Sequence, residues 1–196
     1  MQFVTSRPDA VHSVCQRWLL KCWTHLRGRH TVPAWADLPV DDMSNQLDTL
    51  MFLDVVANGA APRFRIRFLG KRVALSYGGD FTGRFLDEAI PPAWRDNALI
   101  TYQKAITAQR PVYNRVDTHD RDGTCVRLER LLLPLTASGG AVDRVLASIE
   151  TMSFNGKFEQ HELGKSPHAT SSCALVAVID VEAQPRSFAP LAQPLT

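Results

Sequence analysis

Long hydrophobic segments are missing from this sequence of 196 residues. Its best apolar run, residues 173–179, is far shorter than the roughly 20 residues that a membrane-spanning helix needs. The first ten residues contain Arg7, Pro8 and Asp9 where a secretory signal would have an apolar stretch. We therefore expect a cytoplasmic protein with no membrane partner.

Cysteine and histidine are too few and too scattered to form a recognisable site. The four cysteines include no Cys-x-x-Cys pair, and the six histidines lack the spacing of metal ligands. No serine, cysteine or threonine lies in a nucleophile turn such as Gly-x-Ser-x-Gly. The sequence therefore predicts no metal site and no catalytic residues, although a triad assembled in space leaves no trace in a sequence.

The sequence also has almost no excess of charge of one sign, since the net charge is only +2. Nucleic-acid binding needs a concentrated basic face. The densest basic cluster is Arg63, Arg65 and Arg67, which alternate with Phe64 and Ile66. Such alternation is typical of a half-buried strand with a solvated outer face, although a phosphate-binding stripe would have the same pattern. We expect no nucleic-acid partner.

Two amphipathic helices stand out from what the sequence does contain. Apolar residues recur at steps of three and four over residues 11–27, with Asp9 as a plausible cap and Gly28 as the end. The same spacing predicts a second helix over 93–109, which Pro91 and Pro92 precede. Shorter helices are expected over 43–48 and 71–76.

Five strands are predicted from apolar and alternating runs, and they cover residues 50–56, 64–69, 111–119, 124–136 and 144–154. Two strands, then helices, then a three-stranded meander imply an α+β fold, a five-stranded antiparallel sheet with helices on one face. We divide the chain into an N-terminal helix (1–30), a domain (31–154) and a loosely ordered C-terminal tail (155–196) with a short strand near 174–181.

This order of elements resembles that of PAS domains, and more narrowly the stand-alone PAS-like family common in alphaproteobacteria. The matching residues are Trp23, Leu26-Arg27-Gly28-Arg29, Pro33, Asp37, Pro39, Leu53-Asp54-Val55, Phe64-Arg65-Ile66-Arg67-Phe68-Leu69-Gly70, Tyr77-Gly78-Gly79-Asp80-Phe81-Thr82-Gly83, Arg110-Pro111-Val112, Glu129-Arg130-Leu131-Leu132-Leu133-Pro134-Leu135 and Val142-Asp143. The resemblance implies the strand order 2-1-5-4-3 and a sensory or adaptor role without catalysis. Since it names no common ligand, the ligand must be inferred from this sequence.

Association and signalling follow from the same resemblance. PAS domains of this kind often pair through an N-terminal helix, so we expect a homodimer whose interface contains Val11, Val14, Trp18 and Cys22. With no output domain in the sequence, the protein is expected to act in trans on a signalling partner. Haem is not expected because the helix over 93–109 has no histidine, and residues 84–87 lack the Asn-Cys-Arg motif of light-sensing flavin domains.

Candidate ligand-binding residues lie on the helices and on the last two strands of the meander. Tyr77, Trp94 and Tyr102 are amphipathic aromatics that could line a cavity over the sheet, with Ser148 as a polar contact; core packing is the simpler interpretation. Glu129 and Arg130 are adjacent on a strand, so one of the two should point toward the helices. Its partner is a ligand or an internal salt bridge, for example to Arg115.

A different class of function remains open. A cone-shaped α+β enzyme or small-molecule carrier would also place helices over a curved sheet around an apolar cavity. It would need a polar residue deep in that cavity, for which Asp54 and Glu129 are the candidates. The strand order of the sheet would discriminate between the two.

Overall fold

The computed structural model describes residues 1–59, 61–120, 122–154, 163 and 172–183. In chain order the elements are β1 (Val4–Ser6), α1 (Val14–Arg27), β2 (Leu50–Val56), β3 (Arg63–Leu69), α2 (Lys71–Tyr77), α3 (Leu86–Ala89), α4 (Pro92–Ala108), β4 (Val112–His119), β5 (Cys125–Leu135), β6 (Arg144–Ser153) and β7 (Ser172–Ile179). Short 3-10 helices cover Pro8–Ala10, Trp35–Asp37 and Asp41–Thr49. The described helices all fall short of the length and hydrophobicity that a bilayer span would require.

The sheet differs from the expected one in its strand count and therefore in its full order. Seven strands of the described residues form one sheet in the order β1-β7-β4-β5-β6-β2-β3, in which every pair is antiparallel except β1 with β7. The five predicted strands lie side by side within it. The prediction missed that β7 pairs with β4, where it covers an otherwise open edge. β1 was not predicted at all, because three residues are too few to give an alternating pattern.

Helices cover both faces of the sheet, in three layers. On one face, buried residues of α2, α3 and α4 share a core with Leu128 and Leu132 of β5. On the other face, Leu19 and Trp23 of α1 share a second core with Leu131 of β5. Successive β5 residues point to opposite faces, so this one strand contributes to both cores.

Helix α1 begins three residues later than predicted. Its cap is Ser13, whose hydroxyl accepts a hydrogen bond from the Gln16 backbone N–H, whereas the expected cap Asp9 lies in a separate 3-10 helix. Gly28 ends the helix as expected, with φ of 52°. Trp23 fastens α1 to the sheet because its indole Nε1 donates to the Pro134 carbonyl at 2.7 Å.

The predicted tail falls largely on residues outside those described. Within it, Ser172–Ile179 form β7 as an integral strand of the sheet, and this segment contains most of the short strand expected near 174–181. Leu163 is buried in the core of the α2–α4 face, and its backbone N–H donates to the Ser76 carbonyl at 2.9 Å.

Candidate functional site

A cavity of about 60 Å³ lies between α4 and strands β4 and β5. Its lining residues are Met1, Trp94, Asn97, Ala98, Asn114, Val116, Thr118, Leu128 and Arg130. The helical residues follow the three- and four-residue spacing of one helix face, and the strand residues alternate along their strands, so each element contributes one side. The side-chain periodicity of each element therefore places these residues on the wall of the cavity.

Arg130 is the most unusual residue of the cavity, because it is a charged side chain that is only 6% exposed. One guanidinium nitrogen, Nη1, lies 3.5 Å from the hydroxyl of Thr101, and the guanidinium carbon lies 5.4 Å from the centre of the Tyr102 ring. The Nε atom is buried and has no hydrogen-bond partner within the described ranges. Among the described residues, Arg130 forms no ion pair with a carboxylate. A buried cation without a counter-charge is costly.

Asn114 is a second buried polar residue of the cavity, on the strand next to that of Arg130. The two residues are direct cross-strand partners on β4 and β5, and Asn114 is only 2% exposed. Its Oδ1 atom is buried, and no described residue forms a hydrogen bond with it. Buried polar atoms are nearly always paired, so two unpaired ones on neighbouring residues of one cavity indicate a place for a polar ligand or ordered water.

Larger grooves exist, but they lack this feature. Grooves of about 380 and 530 Å³ lie beside the C-terminal end of α1 and along its length. None of the residues that line them has a buried side-chain nitrogen or oxygen without a partner. The cavity under α4 is therefore the better candidate site, despite its smaller size.

Tyr77 and Tyr102 lie close to the guanidinium of Arg130. Burial raises the pKa of both phenols, and the positive charge of Arg130 opposes this effect. Both hydroxyl groups are buried, and their interaction with each other lowers the pKa of Tyr77 and raises that of Tyr102. Both phenols are therefore neutral at physiological pH, and Tyr102 offers its ring face to the cation.

The opposite face of the sheet carries a second group of buried polar residues. Glu129 and Glu150 are cross-strand partners there. Glu129 Oε1 lies 3.5 Å from His12 Nδ1, and the Ser13 hydroxyl donates to Glu150 Oε1 at 3.5 Å. Burial raises the pKa of the Glu150 carboxyl, and the nearby charge of Glu129 adds to this, while Arg72 and the Ser13 hydrogen bond lower it.

The sequence-predicted ligand residues divide between these two faces. Trp94 and Arg130 line the cavity, and Tyr77 and Tyr102 lie beside Arg130. Glu129 and Ser148 lie on the α1 face, so neither contributes to the cavity. Ser148 is buried with its hydroxyl unpaired. Glu129 Oε1 lies 3.5 Å from His12 Nδ1 but has no hydrogen-bond partner among the described residues, and the suggested partner Arg115 instead has its Nη1 3.2 Å from His12 Nδ1.

A sequence model described as a PAS domain matches residues 11–150. The chain belongs to the PAS domain family. No curated protein matches the sequence. PAS domains are as a class sensory or ligand-binding domains, and the match spans α1, all elements from β2 to most of β6, and every cavity-lining residue named above except Met1.

The α1 residues suggested for a PAS dimer interface differ greatly in their exposure. Val11 precedes the helix and is fully buried in the core of its own subunit, so it is not available to a second subunit. Val14 is 71% exposed, and Trp18 and Cys22 are half-buried. The surface that a second PAS domain could reach is therefore narrower than the sequence indicated.

The arginine-rich strand β3 of the PAS domain is largely neutralised by acidic neighbours. Arg63 donates to Asp87 at 2.6 Å, and Arg67 donates to Asp54 at 2.9 Å. The guanidinium of Arg65 lies 5.3 Å from the ring centre of Phe85. Within the described ranges, no group of three or more His, Cys, Asp or Glu side chains is arranged to hold a metal ion.

Three polar residues of the cavity lining, Asn97, Asn114 and Thr118, were not among the predicted ligand residues, and neither was Thr101, which contacts Arg130 without lining the cavity. The sequence pattern did indicate on which face of their elements Thr101 and Asn114 lie. Thr101 lies seven residues after Trp94 and so shares its helix face, and Asn114 occupies the face of β4 that also carries Val112 and Val116. The sequence could not indicate that β4 and β5 would align Asn114 with Arg130, because register is set by strand pairing.

Proposed function

We propose that this PAS domain is a sensory module that binds a small molecule in the cavity between α4 and the sheet. The observation that carries the proposal is the pair of neighbouring, buried and incompletely paired side chains, Arg130 and Asn114. Proteins rarely retain such groups for stability, whereas ligand sites use a few convergent polar groups on apolar walls. No catalytic step is part of the proposal.

The route from the cavity to the rest of the molecule runs through β5. Arg130 points into the cavity, and the backbone carbonyl of the preceding residue, Glu129, accepts a hydrogen bond at 3.1 Å from the side chain of Gln16 in α1. The same Gln16 amide nitrogen donates to the Ser148 carbonyl on β6 at 3.1 Å. A ligand that favours one position of β5 would thereby favour one docking of α1, which is a population shift.

The output is proposed to be an interaction in trans, with a signalling protein or with a second copy of the chain. Helix α1 is the element suited to this role, because it joins the sheet on one side and is exposed on the other, where Val14 and Cys15 lie. A homodimer through this face would carry a change in α1 docking to the partner subunit.

The enzyme or carrier alternative finds less support in the contacts. Its two candidate residues were Asp54 and Glu129. Asp54 is engaged by Arg67 at 2.9 Å and by Arg144 at 3.1 Å, and Glu129 lies on the face opposite the cavity. Neither is available as a catalytic acid or base inside the cavity.

Native mass spectrometry of freshly purified protein tests ligand binding directly. We expect a retained small molecule in the natural sequence, and its loss in Ala98→Leu, because the added carbons would occupy the cavity that Ala98 lines. The matched control is Ala57→Leu, in an exposed loop, which should keep the ligand. A protein that retains no mass, and that no small molecule from a mixed set of organic acids, amides and alcohols stabilises, would contradict the proposal.

A second measurement tests transmission to α1. Hydrogen exchange of α1 backbone amides should change when the cavity is occupied, whereas Ala98→Leu should show no response to the same compounds. Occupancy without any change in α1 would contradict the proposed route through Gln16, while leaving ligand binding itself established.

A further inference from the structure

We propose that the ligand is a small carboxylate, held by Arg130 with Asn114 as its second polar contact; this rests on the proposed function of the cavity. The starting observation is the missing counter-charge. The described residues place one hydroxyl and one aromatic ring against the Arg130 guanidinium, and neither carries a negative charge. A bound anion would supply the missing negative charge.

The shape of the guanidinium favours a carboxylate among anions. Its planar fork can donate two parallel hydrogen bonds to the two oxygens of a carboxylate, and the unpaired Nε is one of the nitrogens of that fork. One arginine balances the single charge of a carboxylate. A phosphate group carries a charge of about −1.5 to −2 at neutral pH, which one arginine does not balance.

The walls of the cavity limit the size of the rest of the ligand. Trp94, Ala98, Val116 and Leu128 form an apolar lining. The cavity volume of about 60 Å³ is far smaller than the volume of about 300–1,000 Å³ that is usual for a site that binds a drug-sized ligand. A short-chain acid, with its carboxylate at Arg130 and a few carbons against this lining, fits both limits.

Asn114 supplies the second contact by its position. Asn114 is the direct cross-strand partner of Arg130 and lines the same cavity, and its Oδ1 has no hydrogen-bond partner among the described residues. Because Oδ1 accepts, it can take a hydrogen bond from a donor that the ligand carries beside its carboxylate, such as a hydroxyl group. The pair would therefore orient the acid as well as balance its charge.

Thermal unfolding with matched probes tests the assignment. The probes are acetate and propionate, compared with acetamide and propionamide, which have nearly the same shape without the charge, and with inorganic phosphate, all at constant ionic strength. We expect the melting temperature to rise with the two carboxylates and not with the amides or phosphate. In Arg130→Met the affinity for the carboxylates should fall by about thirtyfold or more.

The variant also reports on its own folding. Because Arg130→Met removes an uncompensated buried charge, the unliganded variant should melt at or above the temperature of the natural sequence. Arg65→Met, on the exposed side of β3, is the control and should keep the carboxylate response. Arg130→Lys keeps the charge but not the fork, and should bind carboxylates more weakly than the natural sequence.

The failures are distinguishable. Equal stabilisation by amides, or by phosphate, would overturn the carboxylate assignment while the cavity remains a binding site. An unchanged carboxylate response in Arg130→Met would remove Arg130 from the site. If no probe stabilises the protein and no molecule is retained in native mass spectrometry, the proposed function itself fails.

Discussion

Glu129 and Arg130 are adjacent on β5, yet their side chains lie in different layers of the molecule. Arg130 contacts Thr101 and Tyr102 of α4 on one face, whereas Glu129 lies 3.5 Å from His12 at the start of α1 on the other. One peptide unit therefore joins the cavity to the helix proposed to carry the output.

Gln16→Glu should separate α1 from the sheet. The Gln16 side-chain nitrogen donates to the carbonyls of Glu129 and Ser148, and a glutamate there would place a buried carboxylate against two carbonyl oxygens. We expect the free energy of unfolding in urea to fall by about 3 kcal/mol or more at neutral pH. The control Gln2→Glu, at an exposed position, should change it by no more than about 0.5 kcal/mol. Similar values for the two variants would refute the anchoring role of Gln16.

Glu150→Gln should stabilise the protein at neutral pH. The pKa of Glu150 is raised in the folded state, mainly by burial, so the folded protein holds this proton more tightly than the unfolded chain. The benefit of protonation is full below the unfolded pKa of about 4.3 and is lost as the pH rises through the folded pKa. A glutamine is neutral at every pH, so the variant does not lose this stability as the pH rises.

The measurement is the difference in unfolding free energy between Glu150→Gln and the natural sequence, followed from about pH 4 to pH 7. It should be near zero at the acidic end and grow as the pH rises. Glu182→Gln, at an exposed carboxylate paired with Arg27, should give no such gain. A Glu150→Gln difference that is flat with pH would contradict the raised pKa.

Gly70→Ala should be poorly tolerated although its backbone conformation suits alanine. A Cβ at Gly70 would collide with the Leu47 carbonyl oxygen and lie 2.6 Å from that of Asp48, and both are backbone atoms. We expect a loss of about 1–3 kcal/mol or more in urea unfolding. Gly140→Ala meets nothing within 4 Å and should be close to neutral. Equal stability of the two variants would show that the 3-10 segment Asp41–Thr49 can move away from β3.

Val14→Glu tests the proposed homodimer. Val14 is 71% exposed on α1, so a glutamate there should not disturb the subunit but would place a charge in the interface. In sedimentation velocity we expect the natural sequence to be dimeric and Val14→Glu to be monomeric, with an unchanged melting temperature. Ile100→Glu, at an exposed isoleucine of α4 on the opposite face of the sheet, should remain dimeric. A natural protein that stays monomeric at high micromolar concentration would exclude the dimer.

Elements with strong local patterns could be predicted from the sequence. The strand Leu50–Val56 was predicted with its observed bounds, and the helix Pro92–Ala108 to within one residue at each end. Short elements such as β1 and α3 could not be predicted, since three or four residues contain less than one period of an apolar pattern. The cap at Ser13 was missed because Asp9, next to Pro8, is an equally ordinary start.

The candidate site was predictable only as a set of residue types. Alternation alone established that Glu129 and Arg130 face opposite ways, since neighbouring strand residues must do so. Which of them faces the cavity depends on the side of the sheet to which α4 returns, and this was decided by packing between segments far apart in the chain. The alignment of Asn114 with Arg130 and the pairing of β7 with β4 were likewise decided by strand register, which is a tertiary property. The sequence by itself determined the periodic elements and the family, because both depend on local order. The tertiary structure alone decided that Arg130 is buried with no counter-charge from the described part of the chain.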